Sequence, residues 1–284
     1  MSWFNFHTHS NYCDGKSSLS EIVEHAKKVN VTSLGFSSHA PLPFESKWCM
    51  KKESFHKYID EIQSLKHLPH RIEIYSGLEV DYIPYQIGPK DFENKLDYTI
   101  GSIHFVEKFN DGIGWEIDGP HSFFLEGLEK IFDNDFKKAV ARYYELTREM
   151  ITKSPPSVIG HLDKIKIQNI DNKFFNESDR WYQDEIKITI DAIRKTKSII
   201  EVNTRGVYQK KSATTYPSPW ILELIHQKMI PVTISSDAHH HQDLISYFKE
   251  TAHLLKQIGF KEISILHDGQ WKPFEFNANG IKNN

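Results

Sequence analysis

The chain has 284 residues, 39% hydrophobic and 26% charged, which excludes disordered and collagen-like classes. Its formal net charge of -3 supplies no basic field for long nucleic acid or an anionic membrane. Two cysteines, Cys13 and Cys49, are too few for a disulfide framework, no run reaches the roughly 18 apolar residues of a membrane span, and the N-terminus lacks a secretory pattern, so a cytoplasmic protein with reduced thiols is expected.

Short β-rich runs alternate with helical patterns. Residues 3–6 form a first strand. Ser18 and Glu21 fit a capping box, and Leu19, Ile22, Val23 and Ala26 give the following helix one apolar face. Residues 32–39 form a second strand, and Phe55, Ile59, Ile62 and Leu65 mark a second helix. Residues 71–80 and 96–104 are the third and fourth strands, with only a turn of helix between them. Residues 105–134 read as a loop insertion near the active-site face. A helix then carries Phe136, Ala139, Val140, Tyr143, Leu146 and Met150 on one side. Residues 157–163 are a fifth strand, 179–197 a helix and 198–203 a sixth strand. Pro219 opens another helix, where its missing N–H costs nothing. Residues 231–237 are a seventh strand, 244–258 a last helix, and the EISIL run offers an eighth strand. The polar last residues, NANGIKNN, are expected to fray. Alternating strands and helices imply βα units and a parallel sheet, and no linker divides the chain, so residues 1–284 read as a single α/β domain.

The 16 histidines are on the order of twice what this composition class carries. Their placement matters more than their number. The first strand runs into His7 and His9, with Asp14 in the next loop. The second ends at His39, the third at Glu79 (with Asp81 as a rival of the same parity), the fourth at His104 and the fifth at His161. Asn203 and Arg205 follow the sixth, and Asp237 and His239 the seventh. A (β/α) barrel gathers all strand C-termini on one face, whereas an open sheet concentrates its site at one switch point. Ligands after nearly every strand therefore favour the barrel. Nine imidazoles and carboxylates exceed the needs of one ion and suit two or three divalent ions, Zn, Fe or Mn. Neighbouring ions can activate water and neutralise a phosphate, so hydrolysis of a phosphate ester is the expected reaction. Cys13, between His9 and Asp14, reads as packing. His240 and His241 read as loop residues or neighbours of the site.

Six motifs stand in one order: His7-Thr8-His9-Ser10 with Asp14-Gly15, Ser38-His39, Gly77-Leu78-Glu79, Gly101-Ser102-Ile103-His104, Gly160-His161-Leu162-Asp163 and Ser236-Asp237-Ala238-His239. Together they resemble the PHP (polymerase and histidinol phosphatase) family of metal-dependent phosphoesterases. The segments around Trp115-Glu116-Ile117-Asp118 and Ala141-Arg142-Tyr143-Tyr144 look like its histidinol-phosphatase branch. The resemblance implies a distorted (β/α)7, TIM-like barrel with a trinuclear centre. One ion would be held by His7, His9, Glu79 and Asp237. A second would share Glu79 and use His104 and His161, and a third would use Asp14, His39 and His239. In some relatives the Asp14 position is histidine. The implied reaction is hydrolysis of L-histidinol phosphate to L-histidinol and phosphate, in histidine biosynthesis, by a metal-bound hydroxide. Asp237 or His239 would relay a proton to the leaving alkoxide, and Arg205 would fork onto phosphate oxygens.

Lys164 and Lys166 follow His161 and are weaker phosphate candidates, with solvated lysines the favoured reading. Asp118, Glu116 or Asp81 would meet the substrate's amine and imidazole, and Trp115 would stack on it. Three other readings compete. Another small phosphomonoester, or a nucleotide or oligonucleotide phosphodiester, keeps the metals and changes the substrate. An amidohydrolase or deaminase barrel also has a His-x-His first strand, but Asp14, His39 and the Asp237-x-His239 pair favour the phosphoesterase. A non-catalytic scaffold would be expected to lose ligands, and all nine stand here. The partner is expected to be a small phosphate ester, with neither long nucleic acid nor membrane. The oligomeric state and the choice between seven and eight barrel strands stay open.

Overall fold

The computed structural model describes residues 1–282. Strand β1 (Trp3–Asn5) leads to helix α1 (Leu19–Lys28), whose Ser18–Glu21 capping box forms with both reciprocal bonds. Then come β2 (Val31–Phe36), α2 (Phe55–Lys66), β3 (Glu73–Asp81) and β4 (Tyr98–Ser102), with a single 3-10 turn at Pro89–Phe92 before β4. Next are β5 (Phe105–Lys108), β6 (Gly114–Glu116), α3 (His121–Phe132) and α4 (Phe136–Lys153). The chain continues through β7 (Val158–Ile159), α5 (Arg180–Ile193), β8 (Ile199–Asn203), α6 (Arg205–Tyr208), α7 (Pro219–Gln227), β9 (Val232–Ser235) and α8 (Phe248–Ile258). It ends in β10 (Glu262–His267), β11 (Gln270–Asn277) and β12 (Gly280–Ile281).

Seven strands form one parallel sheet in the order β1-β2-β3-β4-β7-β8-β9. The ends of β1 and β9 meet through a parallel bridge between Thr8 and Ala238. There His9 N–H donates to Ala238 O at 2.8 Å and Ala238 N–H donates to His7 O at 3.0 Å. That bridge closes a (β/α)7 barrel, and it brings His7 and His9 beside Asp237 and His239. The strands are unequal, nine residues in β3 against two in β7, which distorts the barrel. The helices bury their apolar faces against it, as Leu19, Ile22, Val23 and Ala26 of α1 show.

The open choice of strand number is settled, and three expectations change. The eighth strand does not join the barrel, because β10 pairs antiparallel with β11 in a separate three-stranded sheet with β12. Residues 105–134 are not a loop: β5 and β6 make a hairpin and α3 follows, burying Phe124, Leu128 and Phe132 at helical spacing. The tail does not fray at residues 277–281, since Ile281 N–H donates to Ser2 O and β12 pairs with β11; residues 283 and 284 lie outside the described residues. The last helix also starts later than read, at Phe248, after Tyr247 takes a left-handed conformation.

Candidate metal centre and active site

The barrel end where the strands finish holds the polar residues. Glu79, 1% exposed, is their hub. Its Oε2 lies 3.1 Å from His7 Nε2, 3.4 Å from His9 Nε2 and 3.1 Å from His39 Nδ1. Its Oε1 lies 2.8 Å from His161 Nε2 and 3.7 Å from His104 Nε2, and accepts from Ser102 Oγ at 2.6 Å. Asp237 Oδ1 sits 3.2 Å from His9 Nε2 and 3.4 Å from His239 Nδ1. Asp14 reaches His239 Nε2 at 3.2 Å and His39 Nε2 at 3.8 Å. A Cβ at Gly15 would lie 2.5 Å from Ser10 N, so the loop carrying Asp14 needs glycine to fold back this closely.

Three sets of donor atoms converge: His7, His9 and Glu79; His39, Glu79 and His104; and His9, Asp14, His39 and His239. These sets hold seven of the nine residues read from sequence; His161 joins them through Glu79 and Asp237 through His9, and the shared membership is unlike the implied partition. His39 reaches both Glu79 and Asp14, and His9 stands between two sets.

These residues fit divalent cations. His7 Nε2, His9 Nε2 and His39 Nδ1 are buried with no hydrogen-bond partner, which a core histidine would not tolerate. Burial, with His239 and His39 nearby, holds His9 well below its ordinary pKa. Burial also pushes His39 down to about 4, against the pull of Glu79 and Asp14. Both directions favour the neutral imidazole, the form that binds metal. For Glu79 burial opposes ionisation, but His7, His39 and His104 outweigh it and hold the carboxyl well below its usual range. Asp237 behaves alike, with His7 and Arg205 overcoming burial. Imidazole and carboxylate together suit Zn, Fe or Mn.

Beside this cluster lies a cavity of about 280 Å³, lined by Asp14, His39, Glu79, His104, Asp237 and His239 on one side. Its other walls include Trp48, Glu116, Asp118, Lys164, Arg205 and Tyr216. Lys164 is buried and pairs with Asp118 at 3.0 Å. Arg205 Nη1 donates to Asp237 O at 2.8 Å. Glu116 accepts from Trp48 Nε1 at 3.2 Å, and burial pushes its carboxyl pKa up.

Two substrate candidates do not reach the cavity. Trp115 is fully buried, stacked on Phe124, with its Nε1 donating to Phe124 O, because Gly127 leaves room for its ring. Asp81 is held behind His104, accepting from its backbone N–H at 2.9 Å and facing its Nδ1 at 3.0 Å, so it orients that ring. Lys166 is taken up by Asp163, Thr215 O and Ser218 rather than by a ligand. Cys13 packs with Sγ 3.5 Å from His9 Nδ1, and His241 bonds Ser17 away from the cavity.

Three residues were missed in sequence. Trp48 stands edge-on to His39, 4.5 Å between centroids, in an irregular segment with no periodicity to flag it. Tyr216 lines the cavity from a loop. Glu201 lies beneath His7 in β8, and a lone acid inside an otherwise apolar strand was its signal.

A parallel barrel with imidazoles and carboxylates gathered where its strands end defines a metallohydrolase-type site. The PHP domain model matches residues 5–205, most of the chain, and the protein belongs to the PHP domain family. It is 26% identical over 272 residues to the "Probable histidinol-phosphatase" of Deinococcus radiodurans, covering 92% of this chain and 95% of that one. It is 26% identical over 268 residues to the histidinol-phosphatase of Bacillus subtilis, covering 84% of this chain and 94% of the relative. The fold matches the crystal structure of a histidinol phosphate phosphatase from Lactococcus lactis complexed with Zn, L-histidinol and phosphate, at a TM-score of 0.72 and 18% identity, over 99% of both chains. Among the described residues, no helix is long and apolar enough to cross a membrane.

Proposed function

We propose that the protein hydrolyses L-histidinol phosphate to L-histidinol and phosphate, with two or three divalent ions held by His7, His9, Asp14, His39, Glu79, His104, His161, Asp237 and His239. The observation that carries the reading is the convergence of seven of those residues in shared sets, with His161 and Asp237 in contact with them, beside a cavity that also holds Lys164 and Arg205. The relatives named histidinol-phosphatase support the substrate.

Ions bound there would supply positive charge for the phosphoryl oxygens and make water a stronger nucleophile. The chain's own residues do the rest. Arg205 and Lys164 bind the non-bridging phosphate oxygens; the guanidinium offers a planar fork, the ammonium a point charge. Asp118 neutralises Lys164 when no substrate is present. Attack of a water oxygen on phosphorus forms one P–O bond and breaks the ester P–O bond. A proton passes to the leaving alkoxide oxygen through Asp237 or His239. Glu116, which has no lysine or arginine partner among the described ion pairs, receives the substrate's cationic amine. Trp48 walls the imidazole side of the cavity. A cavity of this size favours a small phosphate ester over long nucleic acid, and two free cysteines accord with a cytoplasmic enzyme.

Purified protein supplied with Zn or Mn would be given histidinol phosphate, an aryl phosphate and a phosphodiester, and phosphate release measured. Histidinol phosphate should be preferred by at least about tenfold in kcat/KM, roughly 1.4 kcal/mol of discrimination in the transition state. An equal rate on the aryl phosphate would overturn the substrate, and activity on the diester alone would overturn the reaction.

A further inference from the structure

Strand β8 carries one charged side chain, Glu201, among Ile199, Ile200 and Val202, and it is 0% exposed. A carboxylate at such a position is costly unless its oxygens are saturated with donors. Here they are. Oε1 accepts from His7 Nδ1 and from Ser235 Oγ. Oε2 accepts from the His161 backbone N–H at 2.6 Å and from Asn203 Nδ2 at 3.1 Å. Four donors surround a group that, when ionised, can only accept.

That arrangement fixes the chemistry of His7. Its Nδ1 must carry a proton, because an acceptor faces it. Its Nε2 then points toward Glu79 and Asp237, at 3.1 and 3.8 Å, with no hydrogen-bond partner of its own. His9 has no comparable anchor, since its Nδ1 meets only Cys13 Sγ at 3.5 Å and Asp14 at 3.9 Å. Glu201 also grips the backbone at His161, so one carboxylate ties the ends of β1 and β7 together.

We propose that Glu201 is a positioning residue for the metal centre: it holds His7 with the proton on Nδ1 and Nε2 free for a divalent cation, and it sets His161 in the same frame. The inference rests on the metal-centre reading above. A carboxylate behind a ligating imidazole fixes the ring's tautomer and orientation, and its loss typically weakens metal binding by about 10–100-fold.

The tautomer of His7 is measured first, from imidazole 15N shifts in the zinc-loaded protein, with the signal assigned by its loss in His7→Gln. A protonated Nδ1 with Nε2 bound to the ion is expected, and the opposite tautomer overturns the proposal. In Glu201→Gln an NH2 group would face N–H donors. Once circular dichroism shows that variant folded, zinc titration should show the ions that His7 and His161 help to hold bound about 10–100-fold more weakly. Unchanged affinity for every ion also overturns the proposal. Should Glu201→Gln fail to fold, the tautomer in the unaltered protein decides. A native chain that binds no zinc sinks the metal-centre reading and this inference with it. Full zinc binding with the wrong tautomer sinks the inference alone.

Discussion

The two ends of the barrel solve opposite problems. Where the strands finish, the chain buries imidazoles and carboxylates around Glu79 and leaves several ring nitrogens without hydrogen bonds. Where the strands start, the antiparallel sheet covers the opening with apolar and hydrogen-bonded contacts. Trp271 of β11 packs edge-on against Phe6 and Tyr98, with centroids 5.0 and 6.1 Å apart. Ser33 Oγ donates to Leu266 O, and Gly269 N–H to Tyr75 Oη. Charged groups at this end are paired at the surface, as Lys66 is with Asp97 at 2.7 Å. One end tolerates unsatisfied polar atoms because cations would satisfy them, and the other holds the fold closed. Changes at the first should strike activity and metal content, and changes at the second should strike stability alone.

The largest effect should follow Glu79→Ala. It removes the carboxylate within 3.4 Å of four imidazoles, so buried rings are left without their common partner. Metal content should fall and kcat should drop by about 10³-fold or more, some 4 kcal/mol. Metal analysis together with phosphate release checks this, and a Glu79→Ala protein with full metal content would erase the contrast between the two ends. Arg205→Ala should cost less, since it removes a charge-assisted contact to phosphate of about 1.5–3 kcal/mol, or roughly 10–100-fold in kcat/KM, with metal content unchanged. An unchanged kcat/KM would take Arg205 out of the site.

Much of the first end was legible because its signal is local. A parallel strand is apolar, so His39, Glu79, His104, His161 and Asp237 appear as polar residues placed just after apolar runs. Topology then gathers them, and no long-range contact has to be guessed. The second end was not legible in that way. EISIL reads as a strand, but a strand's pattern does not name its partner, and β10 turns to β11 instead of joining β9 and β1. In residues 105–134, Phe124, Leu128 and Phe132 carried a helical period that acidic and glycine-rich surroundings masked. Trp115 was misread because an aromatic ring beside acids suits a pocket as well as a core; only Gly127, distant in sequence, decides it. The lone acid Glu201 marked its strand, but its role stayed hidden because its four donors come from β8, β9 and the segments just after β1 and β7, far apart in sequence.

The smallest expected effect tests the second end. Asp97 precedes β4 and accepts from Ser76 N–H at 2.7 Å, Ser76 Oγ at 2.8 Å and Lys66 Nζ at 2.7 Å. Burial opposes its ionisation, but the bonds from Lys66 and Ser76 prevail and lower its pKa. A carboxyl whose folded pKa lies below its unfolded value of about 3.9 stabilises the fold fully above that value. The contribution is lost as pH falls through the folded pKa. Asp97 is about one-third exposed, so solvent screens the pair, and Asp97→Asn should cost only about 1 kcal/mol at neutral pH. Urea unfolding of both proteins should show that difference constant from pH 7 to pH 5 and shrinking below about pH 4. Activity per folded molecule should not change, because Asp97 touches nothing at the metal-binding end. A loss of kcat in folded Asp97→Asn would mean that the two ends are coupled through β3, the strand that carries both Ser76 and Glu79.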